Sequence, residues 1–265
     1  MNLELFIARR IAHNGSGNRP GVMVRIAVVA VALSVTVMIL ALAVIMGFKR
    51  EITDRVTGFS AQVEVADLRS AGSIESVPVL RSEQLERTIR SAGEVVRLTP
   101  YAVKGGVVKM PDAILGVMLK GVDGGYEWSF FRDHLLEGEL PRVGDSIRTK
   151  EILISRSVAQ EMGLAPGDKV EMLFVESEKS PRRDRFKVSG IYATGMDEFD
   201  RSVAMTDLRN VQRLADWSSD EVSGYEVTLA DFSQAEDFSR RLNDMLLDSD
   251  REAFWDLTAR SAQER

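Results

Sequence analysis

The sequence predicts an α+β protein in which one N-terminal transmembrane helix extends as a stalk into a two-lobed domain, with a ferredoxin-like mixed sheet and an inserted β-rich subdomain. The helix is predicted from residues 26–46, an uncharged run whose helical length of roughly 30 Å matches a bilayer's hydrocarbon core. The stalk is predicted because charged residues follow this run with no turn between. The sheet is predicted from strand-like and helix-like segments in mixed order over the remaining chain.

A short segment precedes the span. Leu3, Phe6, Ile7 and Ile11 fall on one helical face, so this segment is either an amphipathic helix in the membrane surface or a frayed start. Glycine and proline in HNGSGNRPG then end it. We assign residues 1–21 to this N-terminal segment.

The apolar run is either a retained anchor or a signal peptide that is cleaved. Ala41-Leu42-Ala43 fits a cleavage site, but the run continues to Met46 and begins only after residue 25. It also exceeds the roughly 7 to 15 apolar residues of a signal peptide, so we predict an anchor. Charge does not fix its orientation, because the flanks are nearly balanced. Before the run stand Arg9, Arg10, Arg19 and Arg25, and after it Lys49, Arg50 and Arg55.

The predicted helix continues beyond the membrane. Phe48, Ile52 and Val56 keep to one helical face at i, i+4 and i+8. Gly58 is the predicted C-terminal cap. We therefore assign residues 22–58 to the span and its stalk.

The first soluble elements are predicted in the order β-α-β-β. Residues 61–65 (AQVEV) alternate in the manner of a half-buried strand. Ser82 is the predicted start of a short helix that turns Leu85 and Ile89 inward and ends near Gly93. Three strands are predicted next, at residues 95–99, 101–110 and 113–120, the last two joined at Pro111-Asp112.

A second group of elements follows. A strand at residues 151–155 leads into a short helix that ends at Gly163, and Pro166-Gly167-Asp168 forms a turn. The later elements are paired strands at 169–176 and 186–193, a helix with Leu208, Val211, Leu214 and Ala215 on one face, a strand at 225–229, a helix capped by Asp231, and a last strand at 253–258. We assign residues 59–121 and 186–265 to one α+β lobe and residues 122–185 to the inserted β-rich lobe.

Composition and motifs exclude several classes of function. A net charge of -6 offers no basic surface for nucleic acid, and no nucleic-acid-binding motif occurs. The lack of cysteine excludes disulfides, thiolate metal sites and a thiol nucleophile. His13 and His134 lie on opposite sides of the predicted span, and no glycine-rich phosphate loop is present. We therefore predict a protein that is not an enzyme and that holds no cofactor.

Two clusters of side chains have alternative readings. Asp197, Glu198 and Asp200 in GMDEFD could hold a divalent cation or transfer protons, or could belong to a solvated loop. The aromatic group between residues 126 and 131 is predicted to be core rather than a ligand cage.

A third cluster is basic. SEKSPRRDRFK has the character of a hairpin tip, and its cations form either a solvated loop or a contact surface for a protein or a lipid headgroup. The candidate partner-contact residues are Lys179, Arg182, Arg183 and Arg185.

Four segments carry a resemblance to a known family. They are VIMGFKREI (residues 44–52), LKGVD (119–123), MGLAPGD (162–168) and VSGIYATGMDEFDRSVAMTDLRNVQRL (188–214). In this order and spacing they resemble the lipoprotein-releasing permeases, the Lol permeases of the mechanotransmission class of ABC transporters. TGMDEFD after a strand is the most specific part, because macrolide-export and cell-division permeases share only the general layout.

The resemblance implies a permease subunit in the bacterial inner membrane, with a cytoplasmic N-terminal segment and a span that leads into a periplasmic domain. It implies a separate ATP-binding subunit and a second permease subunit, in a homo- or heterodimer. Together these would extract a lipoprotein substrate for a periplasmic carrier, with the stalk passing ATP-driven motion as a rigid lever. The family's lipoprotein cavity maps to apolar residues that could equally contact membrane lipid or another helix. These are Val44, Ile45, Met46 and Phe48.

The sequence departs from the family in three places. The chain ends at Arg265 without a second span, which we interpret as a truncation. The hairpin at residues 177–185 is short where one permease type has a long carrier-recruiting arm, which leaves capture of a carrier open. Ser155 stands where a glycine is usual. Two further functions stay open, namely export of drugs or amphiphiles, and a membrane-anchored signalling or scaffold module.

Overall fold

Helix α1 (Pro20–Phe59) is uninterrupted in the computed structural model, which describes residues 3, 6, 7, 20–59, 61–70, 75–110, 114–144, 146–176, 179–248 and 256–262. Its 40 residues give a length of about 60 Å. Proline suits the first helical turn, where no hydrogen-bonded N–H is required. The predicted absence of a turn after the apolar run is confirmed, but Gly58 lies inside the helix instead of capping it.

The chain divides into two units, Met1–Asp54 and Arg55–Arg265. In the first unit the side chains from Gly21 to Phe48 are exposed, and this stretch is long and apolar enough to cross a membrane. The Thr36 hydroxyl donates a hydrogen bond to the Ala32 carbonyl at 2.8 Å, so this polar group is satisfied within the helix. Of the predicted N-terminal amphipathic segment, only residues 3, 6 and 7 are described, and all three are helical and exposed.

Beyond the end of α1, the second unit runs from strand β1 to strand β12. Its elements in chain order are β1 (Val63–Asp67), β2 (Val79–Leu80), α2 (Glu83–Ser91), β3 (Val95–Lys109), β4 (Ile114–Val122), α3 (Ser129–Asp133), β5 (Leu135–Gly138), β6 (Glu151–Ser155), α4 (Arg156–Met162), β7 (Lys169–Glu176), β8 (Lys179–Tyr192), α5 (Asp197–Ser202), β9 (Val203–Asp207), α6 (Leu208–Ala215), β10 (Glu221–Val222), β11 (Gly224–Leu229), α7 (Ala235–Asp248) and β12 (Leu257–Ser261).

Four of these strands form the ferredoxin-like part of the sheet. Their spatial order is β12-β1-β11-β3, and each neighbouring pair is antiparallel. Helix α2 follows β1 and helix α7 follows β11, which completes the β-α-β-β-α-β pattern. Leu85 and Ile89 of α2 are buried in the same core as Phe238 and Leu242 of α7. The predicted α+β class and ferredoxin-like sheet are confirmed.

Six strands close into a ring, which we call the barrel. β3 pairs with β4, β4 with β9, β9 with β6, β6 with β8, β8 with β7, and β7 returns to β3. The closing contact places Val107 opposite Leu173 and Val108 opposite Met172. Strands of both predicted lobes thus share one sheet, and the lobe boundaries at residues 122 and 185 stay a prediction.

Two glycines permit close packing around the barrel. A Cβ at Gly106 would lie 2.6 Å from the Phe174 ring, so glycine leaves the room that this buried ring occupies. A Cβ at Gly121 would lie 2.8 Å from the Leu208 Cα, so the first turn of α6 can rest directly on β4. Both contacts exclude larger side chains at these positions.

A smaller core lies on the other side of β4. Val122, Phe131, Leu153, Tyr192 and Met205 are buried there, and the rings at positions 126, 128 and 130 pack around them. The Phe131 and Tyr192 rings meet edge to face with centroids 5.1 Å apart. The prediction that the aromatic group is core is therefore confirmed.

Two predicted strands have different bounds in the structure. β3 runs through Pro100, where two strands were predicted. The Tyr101 carbonyl accepts a hydrogen bond from the Ser223 N–H, so the Pro100 nitrogen points to the opposite side, beyond the end of β4 at Val122, where no ladder donor is needed. β8 begins at Lys179, so its arginines lie on a strand rather than in a hairpin tip.

Three further predicted features differ from the structure or lie outside the described residues. The last strand begins at Leu257, where residues 253–258 were predicted, and residues 249–255 lie outside the described residues. The Pro111-Asp112 turn lies outside them as well. The carboxylate cluster predicted as a site or a solvated loop begins helix α5.

Candidate functional site

The TGMDEFD segment folds around a buried carboxylate. Asp200 is 4% exposed, and it accepts hydrogen bonds from the Thr194 hydroxyl at 2.8 Å, the Thr194 N–H and the Gly195 N–H. The Thr194 hydroxyl oxygen in turn accepts the Met196 N–H at 3.1 Å. Uncharged donors thus satisfy the hydrogen-bonding capacity of this carboxylate. Hydrogen bonds among its own residues hold the loop between β8 and α5 in place.

Ser155 connects this loop to helix α4. Its fully buried hydroxyl donates a hydrogen bond to the Asp200 carbonyl and accepts the Val158 N–H at 3.1 Å as the N-cap of α4. A glycine at this position would supply neither contact. The departure from the family pattern at Ser155 therefore has a structural consequence.

The carboxylates of GMDEFD do not come together as a metal site within the described part of the chain. Asp200 points into the loop, and no group of three metal-ligating side chains occurs among the described residues. The side chains of Asp197 and Glu198 lie outside the described residues. Of the predicted cluster, the described member has a structural role.

An Asp-Leu-Arg triplet occurs twice, and sequence reasoning missed it. In Asp207-Leu208-Arg209 the arginine guanidinium donates two hydrogen bonds to the aspartate carboxylate, at 2.9 and 2.6 Å. In Asp67-Leu68-Arg69 the same two hydrogen bonds measure 2.9 and 2.8 Å. The aspartate of each triplet is the last residue of a strand, β9 or β1. The backbone N–H of the arginine also donates a hydrogen bond to the aspartate carboxylate. The repeated tripeptide after a strand was the available signal.

The two aspartates have perturbed acidities. Burial raises the pKa of Asp207, but the Arg209 guanidinium and N–H and the Gly144 N–H lower it more, so the pKa lies below its ordinary value. The hydrogen bond from the Arg69 side chain lowers the pKa of Asp67. Asp207 also caps α6, so its charge is placed at a helix N-terminus.

The predicted partner-contact cations divide into two sets on β8. Arg182 donates hydrogen bonds to the Arg213 carbonyl at 3.2 Å and the Asp216 carboxylate at 2.5 Å, so it caps the C-terminal end of α6. Arg183 and Arg185 point the other way, toward the outer surface, and lie 3.7 and 3.5 Å from the Glu171 carboxylate. The side chain of Lys179 lies outside the described residues.

An open cleft lies beside Arg183 on the outside of the barrel. Its volume is about 350 Å³, and it is lined by Lys109, Met110, Glu171, Leu173 and Arg183. Lys109 and Leu173 come from β3 and β7, which are neighbours only because the barrel closes. Sequence reasoning therefore missed Lys109, which no spacing along the chain connects to Arg183.

The predicted lipid-contact residues are exposed on α1. Val44, Ile45, Met46 and Phe48 are between 62% and 69% exposed. Val44 and Ile45 lie four and three residues before Phe48, so these three share a helical face, whereas Met46 points in another direction. A single contact on that face would therefore engage Val44, Ile45 and Phe48 together.

Comparison with known proteins assigns a family to most of the chain. The MacB-like periplasmic core domain family matches residues 26–245. LolC, a transmembrane protein of the lipoprotein-releasing system of Xylella fastidiosa (strain 9a5c), is 28% identical over 224 residues, which cover 79% of this chain and 50% of LolC. LolE of Haemophilus influenzae is 22% identical over 247 residues, which cover 87% of this chain and 56% of LolE. The chain spans about half the length of the curated relatives it matches.

A solved structure is similar in fold. The periplasmic region of MacB from Actinobacillus actinomycetemcomitans superposes with a TM-score of 0.50 at 13% identity, covering 80% of this chain and 94% of that one. At this identity the likeness concerns the fold alone.

Proposed function

Because the chain belongs to the MacB-like periplasmic core domain family, we propose that it is part of an ABC transporter permease that extracts lipoproteins from the bacterial inner membrane for a periplasmic carrier. The observation that carries this proposal is the similarity to LolC and LolE over 79% and 87% of the chain. Both relatives are named as transmembrane proteins of lipoprotein-releasing systems.

In this proposal α1 spans the inner membrane and continues into the periplasm. Its 40 residues exceed the roughly 20 that a bilayer core requires, so about half of the helix is available as a stalk. A separate ATP-binding subunit hydrolyses ATP, and a second permease subunit completes the dimer. The stalk passes the ATP-driven motion to the periplasmic lobes at residues 59–121 with 186–265 and at 122–185.

Two surfaces carry the proposed contacts. Val44 and Phe48, with Ile45 and Met46 beside them, meet the acyl chains of the lipoprotein or membrane lipid. Arg183 and Arg185 on β8, with Lys179 at its start, meet a partner, whereas Arg182 is engaged with α6. Substitutions of Arg183 and Arg185 therefore test the proposed partner contact most directly.

Depletion of the full-length protein in its host tests the lipoprotein proposal. Outer-membrane lipoproteins should accumulate in the inner membrane, because extraction fails while their synthesis continues. Density-gradient separation of the two membranes with immunoblotting measures the shift, and re-expression of the protein should reverse it. Correct lipoprotein sorting in fully depleted cells would overturn the proposal.

Export of drugs or other amphiphiles is the second candidate, favoured by the match to the MacB-like family. It predicts that depletion raises susceptibility to amphiphilic drugs while lipoproteins reach the outer membrane normally. The same depleted cells distinguish the two candidates, since minimal inhibitory concentrations and lipoprotein fractionation are measured in parallel.

A further inference from the structure

The outer face of the barrel has a row of residues that crosses four strands. Gly116 of β4 lies opposite Val107 of β3, Val107 opposite Leu173 of β7, and Leu173 opposite Arg183 of β8. Val108 and Met172 are buried inside the barrel, so the residues before and after them, Val107 and Leu173, point outward. We call Gly116, Val107 and Leu173 the apolar floor; Leu173 lines the cleft itself, and Val107 and Gly116 extend the row beyond it.

The floor is open above its glycine. No atom lies within 4 Å of the place that a Cβ would occupy at Gly116, whereas Val107 and Leu173 beside it are half-buried. Met110 adds a further apolar side chain at the margin of the cleft. A short hydrocarbon segment could therefore lie along the row without displacing a side chain.

Cations surround this floor. Lys109 of β3 and Arg183 of β8 line the cleft, and Arg185 lies two residues after Arg183 on the same face of β8. Within the described residues Lys109 makes no ion pair, and both arginines share the single carboxylate of Glu171 at 3.7 and 3.5 Å. Those distances exceed the 2.7–2.9 Å typical of a charge-assisted hydrogen bond, so the arginines are weakly engaged.

Two rows further along the same face, beyond Glu171 and Arg185, the charges are again unfavourable. Lys169 lies directly opposite Lys187 on the neighbouring strand, and like charges in that arrangement destabilise a sheet. Glu151 lies on the far side of Lys187, but the Arg142 guanidinium holds its carboxylate at 2.8 Å. A chain with a net charge of -6 has therefore gathered more cations than anions on one face of its barrel.

We propose that this cleft binds the phosphate group of an amphiphile, with the phosphate between Lys109 and Arg183 and the hydrocarbon along Val107 and Leu173. Arginine and lysine are the residues that bind phosphate oxygens most strongly, arginine through its paired N–H groups. Glu171 competes with the phosphate for Arg183 and Arg185. The inference rests on the proposed function, because it names the ligand chemistry of the contact that β8 makes there.

A short-chain soluble ligand tests this site in the full chain, held in phosphatidylcholine nanodiscs. Dihexanoyl phosphatidic acid should bind, and R183Q and K109Q should each weaken binding by about tenfold, since each removes one charge-assisted contact. E171Q should strengthen binding by about threefold, because it removes the competing carboxylate. Isothermal titration calorimetry measures all three, and circular dichroism verifies folding.

Two further ligands and one variant separate the sources of binding. Dihexanoyl phosphatidylcholine shares the tails but covers the phosphate charge, and inorganic phosphate lacks the tails; both should bind at least tenfold more weakly. R156Q removes a charge from exposed Arg156 on α4 and should leave affinity unchanged. Equal affinity for inorganic phosphate or for phosphatidylcholine, or an equal loss in R156Q, would overturn the proposal.

The test is independent of transport. Binding is measured without ATP or a carrier, so failed binding with defective lipoprotein sorting on depletion would remove this site alone. Strong, E171Q-enhanced binding with normal sorting would instead keep the phosphate site and remove the lipoprotein proposal.

Discussion

At the scale of single residues, two buried aspartates are stabilised in different ways. Asp200 receives its hydrogen bonds from a hydroxyl and backbone N–H groups, while Asp207 receives them from a guanidinium as well as from backbone N–H groups. The first carboxylate fixes a loop without any counter-charge, and the second ties strand β9 to helix α6 by an ion pair. Their contributions to stability should therefore respond differently to substitution.

Replacing Asp207 with asparagine should destabilise the protein in a pH-dependent way. Asparagine remains a good N-cap, so the variant removes mainly the charge, at a cost of about 1–3 kcal/mol near pH 7. The folded pKa of Asp207 is depressed, so its contribution is present above the ordinary aspartate value of about 3.9 and is lost as pH falls through the lower folded value.

Thermal unfolding of the full chain between about pH 7 and pH 3 measures this difference. The gap between wild type and D207N should be constant near neutral pH and should narrow as pH falls below about 4. E161Q, at an exposed carboxylate on α4, is the matched control and should stay within about 0.5 kcal/mol of wild type. A gap that is constant with pH would contradict the ionic role of Asp207.

Residue roles were predictable where the signal is local. Ser82 was predicted as a helix start and Gly163 as a helix end, and the structure shows Ser82 as an N-cap and Gly163 in the left-handed conformation. The role of Ser155 was not predictable, because its partner is the Asp200 carbonyl, 45 residues away. The same holds for Lys109, whose neighbour Arg183 depends on barrel closure.

At the scale of elements, pairing with a neighbouring strand determines strand bounds that local propensity alone does not determine. Strands β6 and β7 have the predicted bounds, since alternating side chains and flanking turns mark them. β8 is longer than predicted, because polar residues such as Arg182 and Asp184 pair with β7 even though their composition suggests a loop. Pairing thus extends a strand into a sequence of low intrinsic strand preference.

Replacing Gly106 with alanine tests the packing that closes the barrel. The new Cβ would meet the Phe174 ring at 2.6 Å, so the free energy of unfolding should fall by about 1–3 kcal/mol. Phe174→Leu should restore part of this loss in the double variant, because it removes the obstructing ring atoms. Chemical denaturation of the single and double variants measures the coupling.

Gly116→Ala on the same hairpin is the control for backbone effects. No atom lies within 4 Å of that Cβ position, so this variant should be neutral or gain up to about 1 kcal/mol. If G106A and G116A had equal effects, or if Phe174→Leu gave no rescue, the steric explanation would fail.

At the scale of the whole molecule, helix α1 crosses the boundary between the two units without a break. The sequence predicted this continuity, because the apolar run passes into the charges that follow without a turn between them. The family was also predictable, since TGMDEFD and its neighbours are close in sequence. The ring of six strands was not, because it depends on pairing between β3 and β7, about 65 residues apart.

Breaking the helix should separate membrane insertion from function. A Gly-Pro insertion between Phe48 and Arg55 removes helical hydrogen bonds and allows a bend, so lipoprotein release should be lost while the protein still inserts. Fractionation of membranes and of lipoproteins in complemented, depleted cells measures both. An Ala-Ala insertion at the same place keeps the helix continuous and should retain more activity. Normal lipoprotein release in the Gly-Pro variant would contradict the proposal that the helix acts as a rigid lever.

The position of β1 in the sheet constrains the order in which the chain can fold during synthesis. β1 is the first strand to be made, yet its two neighbours are β11 and β12 near the other end of the chain. About 160 residues separate β1 from β11, which take on the order of ten seconds to synthesise at typical ribosomal rates. Throughout that interval Val63 and Val65, both fully buried in the finished fold, have no strand to pair with. The nascent protein therefore has to keep an apolar strand soluble until β11 and β12 have been made.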